Sequence, residues 1–193
     1  MSLELVKKIR EKTGAGMVDI KNAIDEAGGN EEKAIEILRK KGQSKAAKKS
    51  GRQVKEGIIA CYIHSNGKIG SMVKLYCETD FVARNEEFVN LAKDIAMHIS
   101  AMDPKFSSPE EVPAELVAKE RDIWNEQMKG ENKPEDILKK ILEGKEKKFR
   151  EEMSLLTQSF IKQPEKSVGE LVNEKIGKIG ENIQIGEFVR YEM

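Results

Sequence analysis

Thr79, Asp80, Phe81 and Val82 stand together where the patterning of the chain breaks most sharply. They follow a strand-like run over 69–77 and precede a helix-like run that begins near Asn85. A carboxylate and a large aromatic ring therefore sit side by side where the chain leaves a sheet. Loops at such exits carry function more often than the elements they connect. Asp80 could act on a cation or phosphate site, and Phe81 could act as a wedge in an apolar slot. The plainer alternative is that Phe81 caps the core and Asp80 caps the next helix.

Signals for bond chemistry are weak. Of the two histidines, His64 sits at a hairpin turn and His98 on a helix, and no His–Cys grouping has metal-ligand spacing. Gly14 and Gly16 lack both the preceding strand and the Lys-Ser/Thr ending of a phosphate loop. Carboxylates are abundant but scattered over charged helix faces. No catalytic residue, metal site or cofactor is assigned, and catalysis on a small molecule is not the expected purpose.

The elements that must position the 79–82 segment follow from composition and spacing. The chain has 193 residues, enough for one ordinary domain and a small satellite. With 35% charged and 38% hydrophobic residues it reads as a soluble, helix-leaning globular protein. Lys+Arg and Asp+Glu balance at 34 each, which removes a whole-protein argument for nucleic acid or an anionic membrane. Locally, Arg39, Lys40, Lys41, Lys45, Lys48, Lys49, Arg52 and Lys55 precede the next acid, Glu56. Residues 43–53 are accordingly expected to form a solvated basic linker, partly helical through Ala46 and Ala47, with an electrostatic arm for RNA or an acidic partner as the alternative. No segment has the apolar length of a membrane span. Residues 1–12 lack a secretory apolar core and contain Glu4 and Glu11, so a cytoplasmic location is expected.

Three short helices should occupy residues 1–42. Ser2 is placed to cap the first, which carries Leu5, Val6 and Ile9, and Thr13-Gly14-Ala15-Gly16 breaks it. Ile20, Ala23, Ile24 and Ala27 form the stripe of the second. Gly28-Gly29 ends it, Asn30 caps the third, and Gly42 is expected to terminate that one. A β-hairpin over 54–78 turns at Asn66-Gly67 and pairs Ser65 with Lys68. This register sets Cys61 opposite Met72 and Cys77 opposite Glu56, leaving the sulfurs roughly 17 Å apart. A disulfide needs Cα atoms within about 7 Å, so two free thiols are expected.

A helix over 85–100 would bury Phe88, Leu91, Ile95 and Ile99. Ser108-Pro109-Glu110-Glu111 reads as the start of a helix running through Trp124 toward Lys129. Pro134 opens another with Ile137, Leu138, Ile141 and Leu142, weakened or kinked at Gly144 and resuming toward Leu156. Together they predict an antiparallel helical hairpin over about 109–157. Ser167-Val168-Gly169-Glu170 is a second capping box, and 183–191 a terminal strand whose available partner is the hairpin. The fold class is α+β: a three-helix N-terminal domain (1–42), the basic linker (43–53), and a core domain (54–193) with a three-stranded antiparallel sheet packed with helices.

Leu5-Val6-Lys7-Lys8-Ile9-Arg10 followed by Thr13-Gly14-Ala15-Gly16-Met17-Val18-Asp19 resembles the first signature of the elongation factor Ts family. Thr79-Asp80-Phe81-Val82-Ala83-Arg84-Asn85 resembles its second. Tyr62-Ile63-His64 with Ile69-Gly70 is similar to the family's hairpin, Ile95-Ala96-Met97-His98-Ile99 to its core helix, and Lys178-Ile179-Gly180-Glu181-Asn182-Ile183 to the entry of its last strand. The resemblance covers essentially the whole chain. It implies a guanine-nucleotide exchange factor for elongation factor Tu, the GTPase that delivers aminoacyl-tRNA to the ribosome. It also implies a ubiquitin-associated-like three-helix head and the short form with one sheet subdomain, working as a homodimer in a 2:2 complex. GDP or GTP and Mg²⁺ would be bound by the partner, with no cofactor in this chain.

The resemblance further implies site roles. Thr79, Asp80, Phe81 and Val82 would intrude near the partner's Mg²⁺ site, Phe81 as an apolar anchor for a shifted helix and Asp80 as a competing charge or hydrogen-bonding group. Arg10, Met17, Val18 and Lys21 would present the head to the GTPase domain, and His64, Gly70, Ile179 and Gly180 match core positions facing the partner. Family members often carry a basic pair before the terminal strand's aromatic residue, whereas Gly186-Glu187 precedes Phe188 here. Two other readings compete. An RNA- or ribosome-binding module acting through the basic linker would lose binding steeply with salt. An adaptor for a ubiquitin-like partner built on the head gives no reason for Asp80-Phe81. Direct nucleic-acid binding and membrane association are not expected.

Overall fold

The computed structural model describes residues 3–129 and 134–193. The expected cap Ser2 lies outside the described residues. Helices α1 (Leu3–Thr13), α2 (Met17–Glu26) and α3 (Glu31–Lys49) form the N-terminal head. Val6, Ile9, Ile20, Ala23, Ile24, Ala34 and Leu38 converge into one buried cluster, drawn from the apolar stripes of the three helices. Asn30 caps α3 by accepting the Lys33 N–H at 3.0 Å.

Gly42 does not end α3, which runs on to Lys49 and takes in most of the expected linker. Intrinsic propensity is overridden by packing. Ala46, one turn beyond Gly42, is buried in the second core of the molecule. A Cβ placed on Gly177 would meet the Gly42 Cα at 3.8 Å, so α3 and α8 (Val168–Ile179) cross with two glycines at the contact. Gly42 thus lies inside the helix at this crossing, and a Cβ there would meet nothing within 4 Å, so it is not a stop.

The second core lies under a sheet of order β1-β2-β5, antiparallel throughout: β1 (Glu56–Ile63), β2 (Ile69–Cys77) and β5 (Gln184–Glu192). Two further short strands, β3 (Ser159–Phe160) and β4 (Gln163–Ser167), pair with each other. Cys61 faces Met72 and Glu56 faces Cys77, the register that a two-residue turn at Asn66-Gly67 requires. Both thiols are free, Cys61 exposed and Cys77 buried. Helix α5 (Glu86–Met102) packs beneath, with Phe88, Leu91, Ile95 and Ile99 all buried. Each such side chain contributes about 1.5–3 kcal/mol relative to exposure. Ser167 and Glu170 complete the expected capping box of α8.

The charged middle of the chain begins differently from expectation. Pro109–Glu111 is a single 3₁₀ turn, and α6 (Ala114–Met128) starts afresh after it. Pro113 donates no N–H and disfavours helical geometry at Val112, so a helix cannot propagate out of Glu111. Helix α7 (Glu135–Met153) passes Gly144 unbroken and stops at Met153, short of Leu156. Arg150 ties its end to the 3₁₀ turn, donating to the Pro109 carbonyl at 3.2 Å and the Val112 carbonyl at 2.9 Å. Trp124 meets Phe149 edge-on across α6 and α7, ring centroids 5.9 Å apart.

The β3–β4 pair has no signature in the patterning of the chain. Gln163-Pro164-Glu165-Lys166 carries no apolar alternation, so periodicity had nothing to register.

Candidate functional site: the turn between β2 and α5

Thr79 opens a one-turn helix, α4 (Asp80–Ala83), its hydroxyl accepting the Val82 N–H at 3.4 Å. Asp80 is therefore not the cap, and α5 is capped separately by Asn85, which accepts the Glu87 N–H at 2.8 Å. Ala83 is buried and Val82 packs against the core, which fixes the rotation of the turn. The opposite side carries Asp80, Phe81 and Arg84. Phe81 is 84% exposed, so the plainer alternative, in which its ring caps the core, does not hold. Asp80 forms an ion pair with Arg84 at 3.3 Å on the same exposed side.

The turn is held from a distant part of the chain. Glu181, just past the end of α8, accepts the N–H groups of Glu78 at 3.1 Å and Thr79 at 3.0 Å, and the Thr79 hydroxyl at 2.6 Å. Glu78 in turn accepts the Asn182 N–H at 2.6 Å. Asn182, only 2% exposed, donates to the carbonyls of Ser50 and Arg52 at 3.3 and 2.9 Å. The Cys77 thiol donates to the Thr79 carbonyl at 3.2 Å. Burial, reinforced by the Glu181 carboxylate, pushes that thiol up to about 11. In the sequence Glu181 and Asn182 read only as part of a strand entry. Their partners lie about a hundred residues away, and no local pattern signals such a pairing.

The remaining expected site residues fall into three places. Ile179 packs against the main core, and Gly180 ends α8 with φ 93°, a left-handed cap that donates to the Ile176 carbonyl at 3.0 Å. Both adjoin Glu181 in the chain and so lie beside the 79–82 turn. His64 and Gly70 do not: they sit at the far end of the hairpin. Gly70 and Cys77 are separated along β2 by roughly 23 Å at about 3.3 Å per residue. There the Tyr62 hydroxyl meets His64 Nδ1 at 3.1 Å.

Met17, Val18 and Lys21 are exposed on α2, while Arg10, exposed on α1, lines a cleft of about 770 Å³ between the head and α8. Part of the basic run of α3 is paired within the fold. Arg39 pairs with Glu170, Lys40 with Glu36 at 2.7 Å, Lys41 with Glu26 at 2.7 Å, and Lys45 with Asp19 at 2.8 Å. Within residues 43–53 these pairs engage Lys45, and Arg52 meets Glu78 at 3.5 Å.

Residues 4–193 match the family model described as Elongation factor TS. The chain is 53% identical to Elongation factor Ts of Thermodesulfovibrio yellowstonii, over 100% of this chain and 96% of that protein. It is 51% identical to Elongation factor Ts of Fervidobacterium nodosum, over 100% and 98%. With Elongation factor Ts of Solidesulfovibrio magneticus the identity is 54%, over 98% and 95%. The chain belongs to the elongation factor Ts family.

Against that family membership, the Gly186-Glu187 departure acquires a local explanation. Register shifts between Val73↔Phe188 and Leu75↔Ile185, so β5 carries one residue more than β2 there, a bulge opposite Lys74. A Cβ on Gly186 would come within 2.5 Å of the Tyr76 ring, which lies across the bulge. Glu187 reaches Lys74 at 2.6 Å, and this hydrogen-bonded ammonium holds its carboxyl below the usual carboxylate range. The charge before Phe188 is thus negative and satisfied across the strands. Among the described residues no helix is long and apolar enough to cross a membrane.

Proposed function

We propose that this chain is a cytoplasmic guanine-nucleotide exchange factor of translation elongation. It binds elongation factor Tu·GDP and promotes GDP release by disturbing the Mg²⁺ and phosphate site, allowing GTP to reload. The observation that carries this reading is Phe81 held out to solvent beside Asp80 on a turn whose other side is buried. A ring so displayed suits insertion into an apolar slot of a partner. The adjacent carboxylate suits competition for the hydrogen bonds and charge around a bound cation. Mg²⁺ bridges phosphate oxygens to protein ligands, so perturbing it removes a large share of nucleotide affinity. Met17, Val18 and Lys21, with Arg10, supply a second contact from the head, and Ile179 and Gly180 a contact beside the turn.

This chain breaks and makes no bond, and the nucleotide and Mg²⁺ belong to the partner. Factor and nucleotide weaken each other's binding by the same ratio, so release is accelerated without shifting the final equilibrium. Release of labelled GDP from elongation factor Tu tests the reading. Asp80→Ala with Phe81→Ala should cut the acceleration on the order of 30-fold, equivalent to about 2 kcal/mol for a central anchor. An unchanged rate refutes the mechanism.

A homodimer forming a 2:2 complex completes the proposal. Its support is the outer face of the sheet, where Ile59, Ile63, Met72, Val189 and Tyr191 are all exposed. Two such faces can bury each other as a sandwich of sheets.

A further inference from the structure

Asp80 and Phe81 touch a partner with fixed geometry only if their one-turn helix is itself fixed, and a single turn cannot hold its own shape in water. Phe81 makes no contribution to holding it, because its ring lies in solvent. We infer that Glu181 is the positioning residue of the exchange turn: its carboxylate clamps 78–79 so that Asp80 and Phe81 are presented preorganised. The inference rests on the reading of that turn as the exchange element.

Both oxygens of Glu181 are used, Oε2 by the N–H groups of Glu78 and Thr79 and Oε1 by the Thr79 hydroxyl. With the Thr79 carbonyl taken by the Cys77 thiol and by the Ala83 N–H at 3.2 Å, every polar group of Thr79 is engaged. Glu181 is braced in turn by its neighbour. Asn182 is anchored to the carbonyls after α3 and donates its own N–H to Glu78. The clamp thus links the turn to the α8–β5 junction and to the exit from the head. Charge-assisted bonds of this kind are about twice as strong as neutral ones.

A carboxylate suits this arrangement, because both of its oxygens accept. Glutamine can turn its one acceptor oxygen to the two backbone N–H groups, but its N–H₂ then faces the Thr79 hydroxyl, which loses its acceptor, and the charge assistance is lost. Alanine leaves all three donors without the acceptor.

The test compares wild type, Glu181→Gln and Glu181→Ala, each also in the Asp80→Ala/Phe81→Ala background. GDP release is followed against factor concentration, and amide hydrogen exchange is read on the free chain. Glu181→Ala should lower the maximal release rate on the order of tenfold, as misplacement of positioned groups does. The half-saturating concentration should stay within about twofold, since docking through the head is untouched. Glu181→Gln should fall between. The amides of Glu78 and Thr79 should exchange faster while those of α5 remain protected. In the doubly substituted background Glu181→Ala should cost nothing further, because residues acting as a unit are not additive.

A maximal rate kept by Glu181→Ala despite faster exchange at 78–79 overturns the clamp, as does a loss that multiplies fully onto the double variant. If Glu181→Ala also loosens α5, Glu181→Gln decides by the same comparison. Should Asp80→Ala/Phe81→Ala itself leave release unchanged, the functional reading fails and takes the clamp with it.

Discussion

His98 lies wholly buried on α5 with both ring nitrogens engaged. Nδ1 accepts the Ile161 N–H at 3.3 Å, so the proton is on Nε2, which donates to Gln158 Oε1 at 3.0 Å. The neutral ring therefore fastens the β3–β4 segment to the core helix. Burial holds its pKa below the ordinary 6.5, outweighing the hydrogen bond to Gln158. Unfolding restores the ordinary value, so in the window just below it the unfolded chain binds more protons. The contribution of His98 is complete above about pH 6.5 and is lost as the pH falls toward its depressed folded value. Urea midpoints should accordingly drop between neutral pH and about pH 5.5, and His98→Gln should flatten that part of the profile. At the same scale Phe81 behaves in the opposite way. Being 84% exposed, it should give up function on conversion to Ala with stability changed by no more than about 0.5 kcal/mol.

Helix α3 is the element whose course most affects the architecture, because it carries the head onto α8. A glycine in a helix interior costs about 0.8–1 kcal/mol relative to alanine. A Cβ on Gly42 would meet nothing within 4 Å. Gly42→Ala should therefore stabilise the protein by up to about 1 kcal/mol, a rise of about 2–4 °C in Tm by calorimetry. Had Gly42 ended the helix, as its residue type suggests, the same substitution would disrupt a cap and lower Tm. The α6–α7 region shows the converse. Ser108 makes no side-chain cap bond: Glu111 accepts the Ser107 N–H at 3.2 Å and the Ser108 hydroxyl at 3.4 Å, and Pro113 limits the start to one 3₁₀ turn.

For the whole molecule, the outer sheet face connects the proposed homodimer to a measurable property of Cys61. Cys61 is exposed on that face opposite Met72, whereas Cys77 is buried with its thiol pushed up to about 11. Thiolate is the reactive form, so Cys77 should resist alkylation at neutral pH until the chain unfolds. Cys61 should react readily in dilute solution and more slowly as concentration drives two sheets together. Light scattering over the same range should show the mass rising from one chain toward two. A constant Cys61 rate with a constant monomer mass excludes the dimer.

The local patterns of the chain determined α1, α2 and α5 by 3.6-residue periodicity, α8 by its Ser167–Glu170 capping box, and the hairpin register by Asn66-Gly67. They also marked Thr79-Asp80-Phe81-Val82 as the candidate site, since an aromatic beside an acid breaks the pattern where it occurs. Tertiary structure alone decided the rest. Ala46 has a core to enter only once α8 lies across α3, so the helix outlasts Gly42. Glu181 and Asn182 acquire a role only when residues about a hundred positions apart are brought within hydrogen-bond distance. Periodicity reports on burial along one element; it carries no information about which polar group another element will supply.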